Sequence, residues 1–234
     1  MGTRHLICVF WKGKWFLAQY GQFDGYPEGQ GVKIFSFLSY AQNIENLKAG
    51  LEHHIYQPTK EDIDAINAEC DAWDQNREAQ GLPYQRNMFG INQLYPSLAR
   101  ETSAGILGII ARASQPESEN ETEGGAGKNP KRVPVLLELE FANDALFCEW
   151  AYVIDLDTEV FEIYGGSEKK RDGHRFKDVG SEGARVPAFI CSFKFSEIYL
   201  MKSGEEFLER VKEAAYRRSR ADRPSDVMDE EEDY

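Results

Sequence analysis

Residues 6–20 constrain the fold most strongly, because they read as a β-hairpin whose two strands are apolar on both faces. β-Branched and aromatic residues fill the segments 6–11 and 15–20, and Lys12 and Gly13 separate them. Two such runs around a short glycine-containing turn are typical of paired antiparallel strands. Because strands without a polar face are buried on both sides, we predict that this hairpin lies inside a covered sheet.

The loop that follows, residues 21–31, is the densest local signal in the chain. It reads Gly-Gln-Phe-Asp-Gly-Tyr-Pro-Glu-Gly-Gln-Gly and combines four glycines with two carboxylates and two aromatic rings. Glycine permits a positive φ and close approach of the backbone to a ligand. Asp24 and Gly25 favour a turn, and Pro27 fixes its own φ. Since the loop joins the hairpin to the first helical pattern, it is the candidate site.

Amphipathic patterns predict about five helices. The first covers residues 32–41, and the apolar residues of the second recur every three or four positions as far as Ile55, before Pro58. Polar residues are expected to cap the N-termini of the other three: Thr59 with Asp62, Ser97, and Ser203 with Glu206. Arg100 and Glu101 would then lie in the first turn of the fourth helix, where Glu101 favours the helix dipole.

Alternating apolar and polar residues predict the remaining strands. Residues 135–141 place apolar side chains on one face, and residues 146–154 and 160–164 form a hairpin around a turn at 155–158. Residues 186–198 fit either a strand or a helix. The sequence therefore predicts an α+β fold, a mainly antiparallel sheet of about five strands packed with about five helices.

Composition predicts one domain at 1–220 and a disordered acidic tail at 221–234. Residues 114–132 hold no aliphatic or aromatic residue larger than alanine. Such a segment cannot bury enough surface to offset its ordering entropy, so we predict a disordered insertion within the domain. Of the net charge of −13, six negative charges lie in the last nine residues, which leaves −7 on the rest.

This acidic balance argues against a broad nucleic-acid surface, because phosphate contacts need clustered lysine and arginine. The basic cluster before the tail is either a solvated helix end or a switchable anion contact: Arg217, Arg218, Arg220 and Arg223.

Neither a signal peptide nor a run of about 18 apolar residues occurs, so we expect an intracellular protein, cytoplasmic or nuclear, without a membrane partner. The scattered cysteines predict no disulfide and no metal site, and we expect no cofactor: Cys8, Cys70, Cys148 and Cys191.

Three interpretations of the loop stay open. As a phosphate cradle it lacks both nucleotide-binding glycine patterns, and Asp24 and Glu28 would repel phosphate. As a structural element it would seat the first helix, with Asp24 accepting backbone N–H bonds or pairing with Arg4. As a site for a small molecule or peptide it would use Asp24 and Glu28 as acid, base or cation-binding groups, and Tyr26 as a wall.

Two further chemical interpretations compete with structural ones. N-terminal nucleophile hydrolases begin with Cys, Ser or Thr on a strand, and Thr3 or Cys8 would become the nucleophile if cleavage made it the first residue. Cys8 is otherwise a small core residue. Asp155 and Asp157 either share a divalent cation or act as ordinary turn formers.

Four segments have an unusual composition: residues 1–4 (Met-Gly-Thr-Arg), 22–29 (Gln-Phe-Asp-Gly-Tyr-Pro-Glu-Gly), 100–105 (Arg-Glu-Thr-Ser-Ala-Gly) and 148–156 (Cys-Glu-Trp-Ala-Tyr-Val-Ile-Asp-Leu). They resemble segments of a family of uncharacterised proteins that is common in filamentous fungi and has shorter relatives in bacteria and phages. The resemblance covers most of residues 1–112 and 133–165. It implies one unit that spans the insertion, and it implies no activity, cofactor or catalytic residue.

The leading interpretation is a non-enzymatic binding or interaction module that holds a protein or a small molecule with loop 21–31. The alternative is a hydrolase acting on an amide or a phosphoester at the same loop, either N-terminal-nucleophile-like or dependent on carboxylates or a metal. The candidate binding residues are Arg4, Gln22, Asp24, Tyr26, Glu28, Arg100 and Glu101. A cleft with strongly perturbed pKa values would favour the enzyme.

Overall fold

The structure is a computed structural model that describes residues 2–82, 88–115 and 132–221. Its strands are β1 (His5–Trp11), β2 (Lys14–Gly21), β3 (Ile55–Tyr56), β4 (Val133–Pro134), β5 (Trp150–Asp155), β6 (Val160–Gly165), β7 (Glu168–Lys169), β8 (Arg185–Val186) and β9 (Phe189–Lys194). Its α-helices are α1 (Val32–Leu38), α2 (Ala41–His53), α3 (Lys60–Ala79), α4 (Gly90–Leu94), α5 (Gly105–Ala113), α6 (Phe195–Ile198) and α7 (Gly204–Ala221). Most of the predicted insertion and all but the first residue of the predicted tail lie outside the described residues.

Five strands form the central sheet in the order β2-β1-β5-β6-β9. The pairs β1–β2, β5–β6 and β6–β9 are antiparallel, whereas β1 and β5 run parallel. Gly21 at the end of β2 and Trp150 at the start of β5 both pair with His5, so the connection between them leaves and re-enters the sheet at the same end, and it carries helices α1 to α5. The predicted α+β fold and the mainly antiparallel sheet are confirmed, with seven α-helices in the described ranges where about five were expected.

Side chains along β1 alternate between two covered faces of this sheet. Ile7 packs among the helices on one face, whereas Leu6 and Cys8 pack on the other against the 3₁₀ turn Leu139–Asn143 and against Phe176. Burying side chains of the size of Ile7 or Leu6 contributes roughly 1.5–3 kcal/mol each. The prediction that both faces of the hairpin are covered is confirmed for β1, whereas β2 forms the edge of the sheet and is buried only in part.

Two predicted helix starts and one predicted hairpin are also confirmed. The Thr59 hydroxyl accepts a hydrogen bond from Asp62 N–H at 3.2 Å, and Thr59 N–H donates to the Asp62 carboxylate at 2.9 Å, so α3 begins with a capping box. Glu206 N–H donates to Ser203 Oγ at 3.3 Å at the start of α7. β5 and β6 pair around the turn predicted at 155–158.

Two predictions about strands and helix length are wrong. Ile55 lies in β3, because α2 ends at His53 and the chain then pairs with β4. Residues 135–141 do not form a strand, although Leu137 makes an isolated bridge to β2. The chain curls there into the Leu139–Asn143 turn, so its alternation of apolar and polar residues reflects a half-buried turn.

The prediction that Ser97 caps the fourth helix is wrong as well. Ser97 lies in the 3₁₀ turn Pro96–Leu98, and α5 begins only at Gly105. The chain leaves the helical conformation at Ala99, whose ψ is 135°, and the left-handed φ of 47° at Ser103 then delays the next helix until Gly105. Arg100 and Glu101 therefore lie in a turn before the helix and not in its first turn.

Candidate functional site

Loop 21–31 bends sharply and then enters α1 through a π-helical turn, Pro27–Gly31. Asp24 adopts a left-handed conformation with φ of 54°, which costs a non-glycine residue roughly 1–2 kcal/mol. Its carbonyl accepts a hydrogen bond from Gln30 N–H at 3.1 Å, so the bend closes on itself. A methyl group on Gly29 would lie 2.1 Å from that carbonyl oxygen. Only glycine therefore fits at position 29 without displacing the bend.

Buried groups from two other elements hold the loop backbone from beneath. Tyr152 of β5 donates its hydroxyl proton to the Gly25 carbonyl at 2.7 Å, and burial raises the pKa of Tyr152 well above its ordinary value. Gln30 donates to the Phe23 carbonyl and accepts from Ala104 N–H before α5, both at 3.2 Å. Breaking any of these bonds would leave a buried polar group unpaired, so the backbone conformation is fixed.

The charged and aromatic side chains of the loop face outward. Asp24, Tyr26 and Glu28 are all exposed. Tyr26 donates its hydroxyl proton to the Asp24 carboxylate at 3.2 Å, and the charge of Asp24 raises the pKa of Tyr26. Glu28 pairs with Lys212 of α7 at 3.0 Å, and this hydrogen bond lowers the pKa of Glu28. Exposed pairs of this kind contribute at most about 1 kcal/mol, so these side chains can exchange partners.

Thr3 and Arg4 connect the loop to a second exposed feature. The Thr3 carbonyl accepts a hydrogen bond from Gly25 N–H at 3.0 Å, and Arg4 N–H donates to the Glu149 carboxylate at 3.1 Å. The Arg4 guanidinium lies 4.4 Å from the centroid of the Phe147 ring. The N-terminal segment therefore joins the loop to the turn that carries Phe147.

That turn is fixed and presents apolar side chains to solvent. The Asp144 carboxylate accepts hydrogen bonds from the N–H groups of Leu146 at 3.2 Å and Phe147 at 3.0 Å. Leu146 is 76% exposed and Phe147 is 42% exposed. Exposed apolar groups on a fixed turn are typical of contact surfaces, because such a turn loses little conformational entropy when a partner binds. Within the described ranges Arg4 forms no ion pair with Asp24, and it extends the surface toward this turn.

Arg100 lies on the other side of the loop. Gln22 N–H donates to the Arg100 carbonyl at 3.2 Å, and the Gln22 side-chain oxygen accepts the Tyr20 hydroxyl proton at 2.6 Å. The Arg100 guanidinium lies 6.0 Å from the Tyr20 ring centroid. Arg100 and Glu101 are both exposed. The structure thus brings Gln22 and Arg100 together, with Glu101 next to them in the chain.

Sequence reasoning missed two buried polar residues beneath the loop, His5 and Ser103. His5 is fully buried, and in the described ranges neither of its ring nitrogens has a hydrogen-bond partner of acceptable geometry. Ser103 is also buried, and its Oγ is likewise unpaired. The two side chains converge on Gly21: a methyl group placed there would lie 2.1 Å from His5 Nε2 and 2.9 Å from Ser103 Oγ.

Burial lowers the pKa of His5 to about 4. The Thr3 backbone, although its geometry falls short of a hydrogen bond, and the charge of Asp24 favour the protonated ring, while Lys33 disfavours it. The ring is therefore neutral near pH 7, with a free lone pair on one nitrogen. A lone histidine on a strand gives no sequence signal of a functional role. For Ser103, the sequence feature that pointed to such a role was the unusual composition of residues 100–105.

Cys8 and Asp155 occupy positions that their structural roles explain. Cys8 is fully buried within β1, and burial raises its pKa well above the ordinary value, which makes it a poor nucleophile. Asp155 binds Arg175 Nη2 at 2.7 Å and accepts Asp157 N–H at 2.9 Å. Asp157 accepts Lys12 N–H at 2.8 Å. The two carboxylates thus stabilise the turns of the two hairpins and contact different partners.

Comparison of the chain with models of protein families, with curated proteins and with solved structures finds no match. Within residues 2–82, 88–115 and 132–221, no three His, Cys, Asp or Glu side chains are grouped so that they could hold a metal ion. In the same ranges, no helix combines the length and the apolar character needed to cross a bilayer. Function has to be inferred from the geometry of loop 21–31 and its neighbours.

Proposed function

We propose that the protein is a binding or interaction module that recognises a protein or a small molecule with the outer side of loop 21–31. One observation carries this proposal, the difference between the two sides of the loop. Tyr152 fixes its backbone from beneath, while Asp24, Tyr26 and Glu28 remain exposed. A loop that is already ordered loses little conformational entropy on binding, which favours affinity.

The proposed surface continues through Arg4 to Phe147 on one side, and to Arg100 on the other. Exposed aromatic, cationic and anionic groups on one surface suit a peptide or protein partner, whereas Asp24 and Glu28 would repel the phosphates of a nucleic acid. All four cysteines are free, which supports placing the protein in a reducing compartment, the cytoplasm or the nucleus.

Membership of the fungal family that the sequence resembles is part of the same proposal. The strings at 22–29 and 100–105, which carry the resemblance, lie side by side, joined by the hydrogen bond from Gln22 N–H to the Arg100 carbonyl. Contact between two unusual strings supports a shared surface in such a family.

The test is partner capture from the protein's own cells, followed by measurement of the affinity of the captured partner. Tyr26→Ala removes the exposed ring, and Asp24→Asn removes the charge while asparagine still tolerates the left-handed backbone. We expect each variant to bind at least about tenfold more weakly, because exposed aromatic anchors often carry more than about 1.4 kcal/mol. Tyr40→Ala is the matched control, since Tyr40 is an exposed tyrosine outside the loop.

If all three variants bind the same partner as tightly as the wild type does, loop 21–31 is not the recognition surface. Loss of binding in Tyr40→Ala alone would move the surface to the start of α2.

A second candidate is a hydrolase with its site beneath the same loop, and the unpaired groups of His5 and Ser103 favour it. In this candidate the loop moves aside, and Ser103 Oγ attacks the carbonyl carbon of an amide while His5 Nε2 takes its proton. His5 then returns the proton to the departing amine, and water releases the acyl group from Ser103. A phosphoester would react at phosphorus by the same transfer. Left-handed backbone at Ser103 fits a strained functional position.

A fluorophosphonate probe tests this candidate directly. We expect the intact mass to increase by one adduct at Ser103, no adduct in Ser103→Ala, and slower labelling in His5→Gln. A wild-type chain that stays unlabelled under conditions that label a serine hydrolase would rule the candidate out. The intact mass of protein from its own cells tests the N-terminal nucleophile form, which requires a chain that begins at Thr3 or Cys8.

A further inference from the structure

The two-stranded ribbon of β7 and β8 carries positive charge that the described chain does not balance. Lys169 lies directly opposite Arg185 across this antiparallel pair, and both side chains are exposed. Like charges in directly opposite positions destabilise a pair of strands. Within the described ranges neither residue forms an ion pair, so the described residues leave both charges without a counter-ion.

The neighbouring carboxylate, Glu168, is already engaged. Its oxygens lie 3.2 Å from Arg218 Nη2, 3.6 Å from Arg171 Nη2 and 3.2 Å from His174 Nε2. The segment between the two strands also contains three acids, Asp172, Asp178 and Glu182, and in the described ranges none of them pairs with the ribbon cations. Positive charge therefore exceeds negative charge on this surface.

Arg185 is also held in a fixed orientation. Its Nε donates to Ser167 Oγ at 3.0 Å, and its Nη2 donates to the Ser167 carbonyl at 2.7 Å. Both acceptors are uncharged, so they orient the guanidinium without neutralising it. A guanidinium has five N–H donors, and those that Ser167 leaves over are available to a carboxylate.

The C-terminal part of helix α7 lies against this ribbon. Near its C-terminus, Arg218 donates to the Phe189 carbonyl at 2.8 Å as well as contacting Glu168. The helix ends at Ala221, and the six acids at 226–233 follow in the sequence. An extended chain from Ala221 to the first of them reaches about 17 Å, and each further residue adds about 3.4 Å.

We infer that the ribbon is a binding surface for acidic segments, and that its occupant is the chain's own tail, with carboxylates of residues 226–233 bound to Lys169 and Arg185. The charges are complementary, and the tail begins where α7 meets the ribbon. Single exposed ion pairs are weak, but a short tether gives an effective concentration in the millimolar range, which favours several pairs forming together. The contact should weaken as salt rises, because exposed charges are screened.

Zero-length carbodiimide cross-linking of the full chain tests this inference, because it forms an amide between a lysine and a carboxylate only when they touch. We expect mass spectrometry to find Lys169 joined to carboxylates of residues 226–233 within one chain. These products should disappear near 1 M salt, where the Debye length falls to about 3 Å. Lys60, which is exposed at the start of α3, is the control lysine and should give no link to the tail.

A second measurement uses a synthetic peptide of residues 222–234 as the probe. The full chain with the six acids of residues 226–233 changed to amides (Asp226→Asn, Asp229→Asn, Glu230→Gln, Glu231→Gln, Glu232→Gln and Asp233→Asn) should bind the peptide about tenfold more tightly than the wild type, whose own tail competes. Adding Lys169→Gln and Arg185→Gln should abolish this binding. Equal binding by the wild type and the amide variant would overturn the inference, as would links from the tail to Lys60 or links that join two copies.

Discussion

Two polar clusters, one partly and one fully buried, lie on opposite faces of the central sheet and are built in opposite ways. On the face away from the helices, Arg175 binds Asp155 at 2.7 Å and Glu162 at 2.5 Å, and Tyr164 donates its hydroxyl proton to Glu162 at 2.7 Å. Burial alone would raise the pKa of Asp155, but hydrogen bonds from Thr158 and Arg175 outweigh it and hold that pKa below the ordinary value. This cluster is paired throughout.

On the helix face, beneath loop 21–31, His5 and Ser103 are buried without such partners. A paired network makes a structure rigid, whereas unpaired buried groups cost stability, and a catalytic role is one of the reasons for which they occur. The cluster around Arg175 therefore braces the sheet, whereas the two side chains beneath loop 21–31 form a polar site that the described residues leave unpaired.

The largest expected effect comes from breaking the paired cluster. Arg175→Met would leave the carboxylates of Asp155 and Glu162 without their cation, which costs about 3–5 kcal/mol when such groups are buried. Urea unfolding measures this loss. Arg171→Met is the matched control, because Arg171 is exposed and pairs with Glu168 at 3.6 Å, and it should change stability by less than about 1 kcal/mol. Equal losses in the two variants would show that the cluster does not brace the sheet.

The second effect concerns pH and the unpaired face. The pKa of His5 is about 4 in the folded chain and 6.5 ordinarily. Between pH 6.5 and pH 4, His5 is therefore protonated in the unfolded chain and neutral in the folded chain. Stability that is present above pH 6.5 is therefore lost as the pH falls toward 4, by on the order of 3 kcal/mol. Urea unfolding of the wild type and of His5→Gln between pH 7 and pH 4 measures the difference, because glutamine does not titrate.

The control for this experiment is His174→Gln. Burial also lowers the pKa of His174, so this residue contributes a loss in the same direction. If the curves of the wild type and His5→Gln run parallel between pH 7 and pH 4, His5 is not a buried neutral ring, and the contrast between the two faces fails.

These two clusters also show how far the sequence could predict the structure. The hairpin at residues 6–20 and the capping box of Thr59 with Asp62 depend on neighbours in the chain, and both were predicted correctly. The helix expected from Ser97 failed because the backbone is extended at Ala99 and left-handed at Ser103, and nothing local to an alanine or a serine signals either conformation.

The candidate site, too, was predicted in part, where its residues are neighbours in the sequence. Asp24 and its loop were predicted because glycine, proline and acidic residues cluster within a few positions. The approach of His5 and Ser103 to the same glycine, Gly21, was not, because the two residues lie far apart in the sequence and come near Gly21 only when β1 and β2 pair. Pairing of His5 with Gly21 in the sheet sets that meeting point, and no pattern in either segment predicts it.

A smaller effect tests that meeting point. Gly21→Ala would place a methyl group 2.1 Å from His5 Nε2, and overpacking of this kind costs about 1–3 kcal/mol. Gly108→Ala is the control, because its nearest neighbour would be Arg112 at 3.4 Å and alanine favours the helix interior by about 0.5–1 kcal/mol. The midpoint temperature of thermal unfolding should therefore fall in Gly21→Ala and rise in Gly108→Ala. A stable Gly21→Ala would mean that His5 has room to move.

The smallest expected effect separates a group kept for function from one kept for stability. Ser103→Ala removes a buried hydroxyl that has no partner and leaves the strained φ unchanged, so it should raise the free energy of unfolding by about 1 kcal/mol. Ser39→Ala is the control: its hydroxyl donates to the Phe35 carbonyl at 2.8 Å, and its loss should leave stability equal or lower by up to about 1 kcal/mol. If Ser103→Ala is instead destabilised like Ser39→Ala, the Ser103 hydroxyl has a partner, and the contrast with the paired cluster around Arg175 is lost at this residue. If it is stabilised, Ser103 weakens the fold beneath loop 21–31, as a stability–activity trade-off predicts for a group that serves what the loop binds or the chemistry it covers.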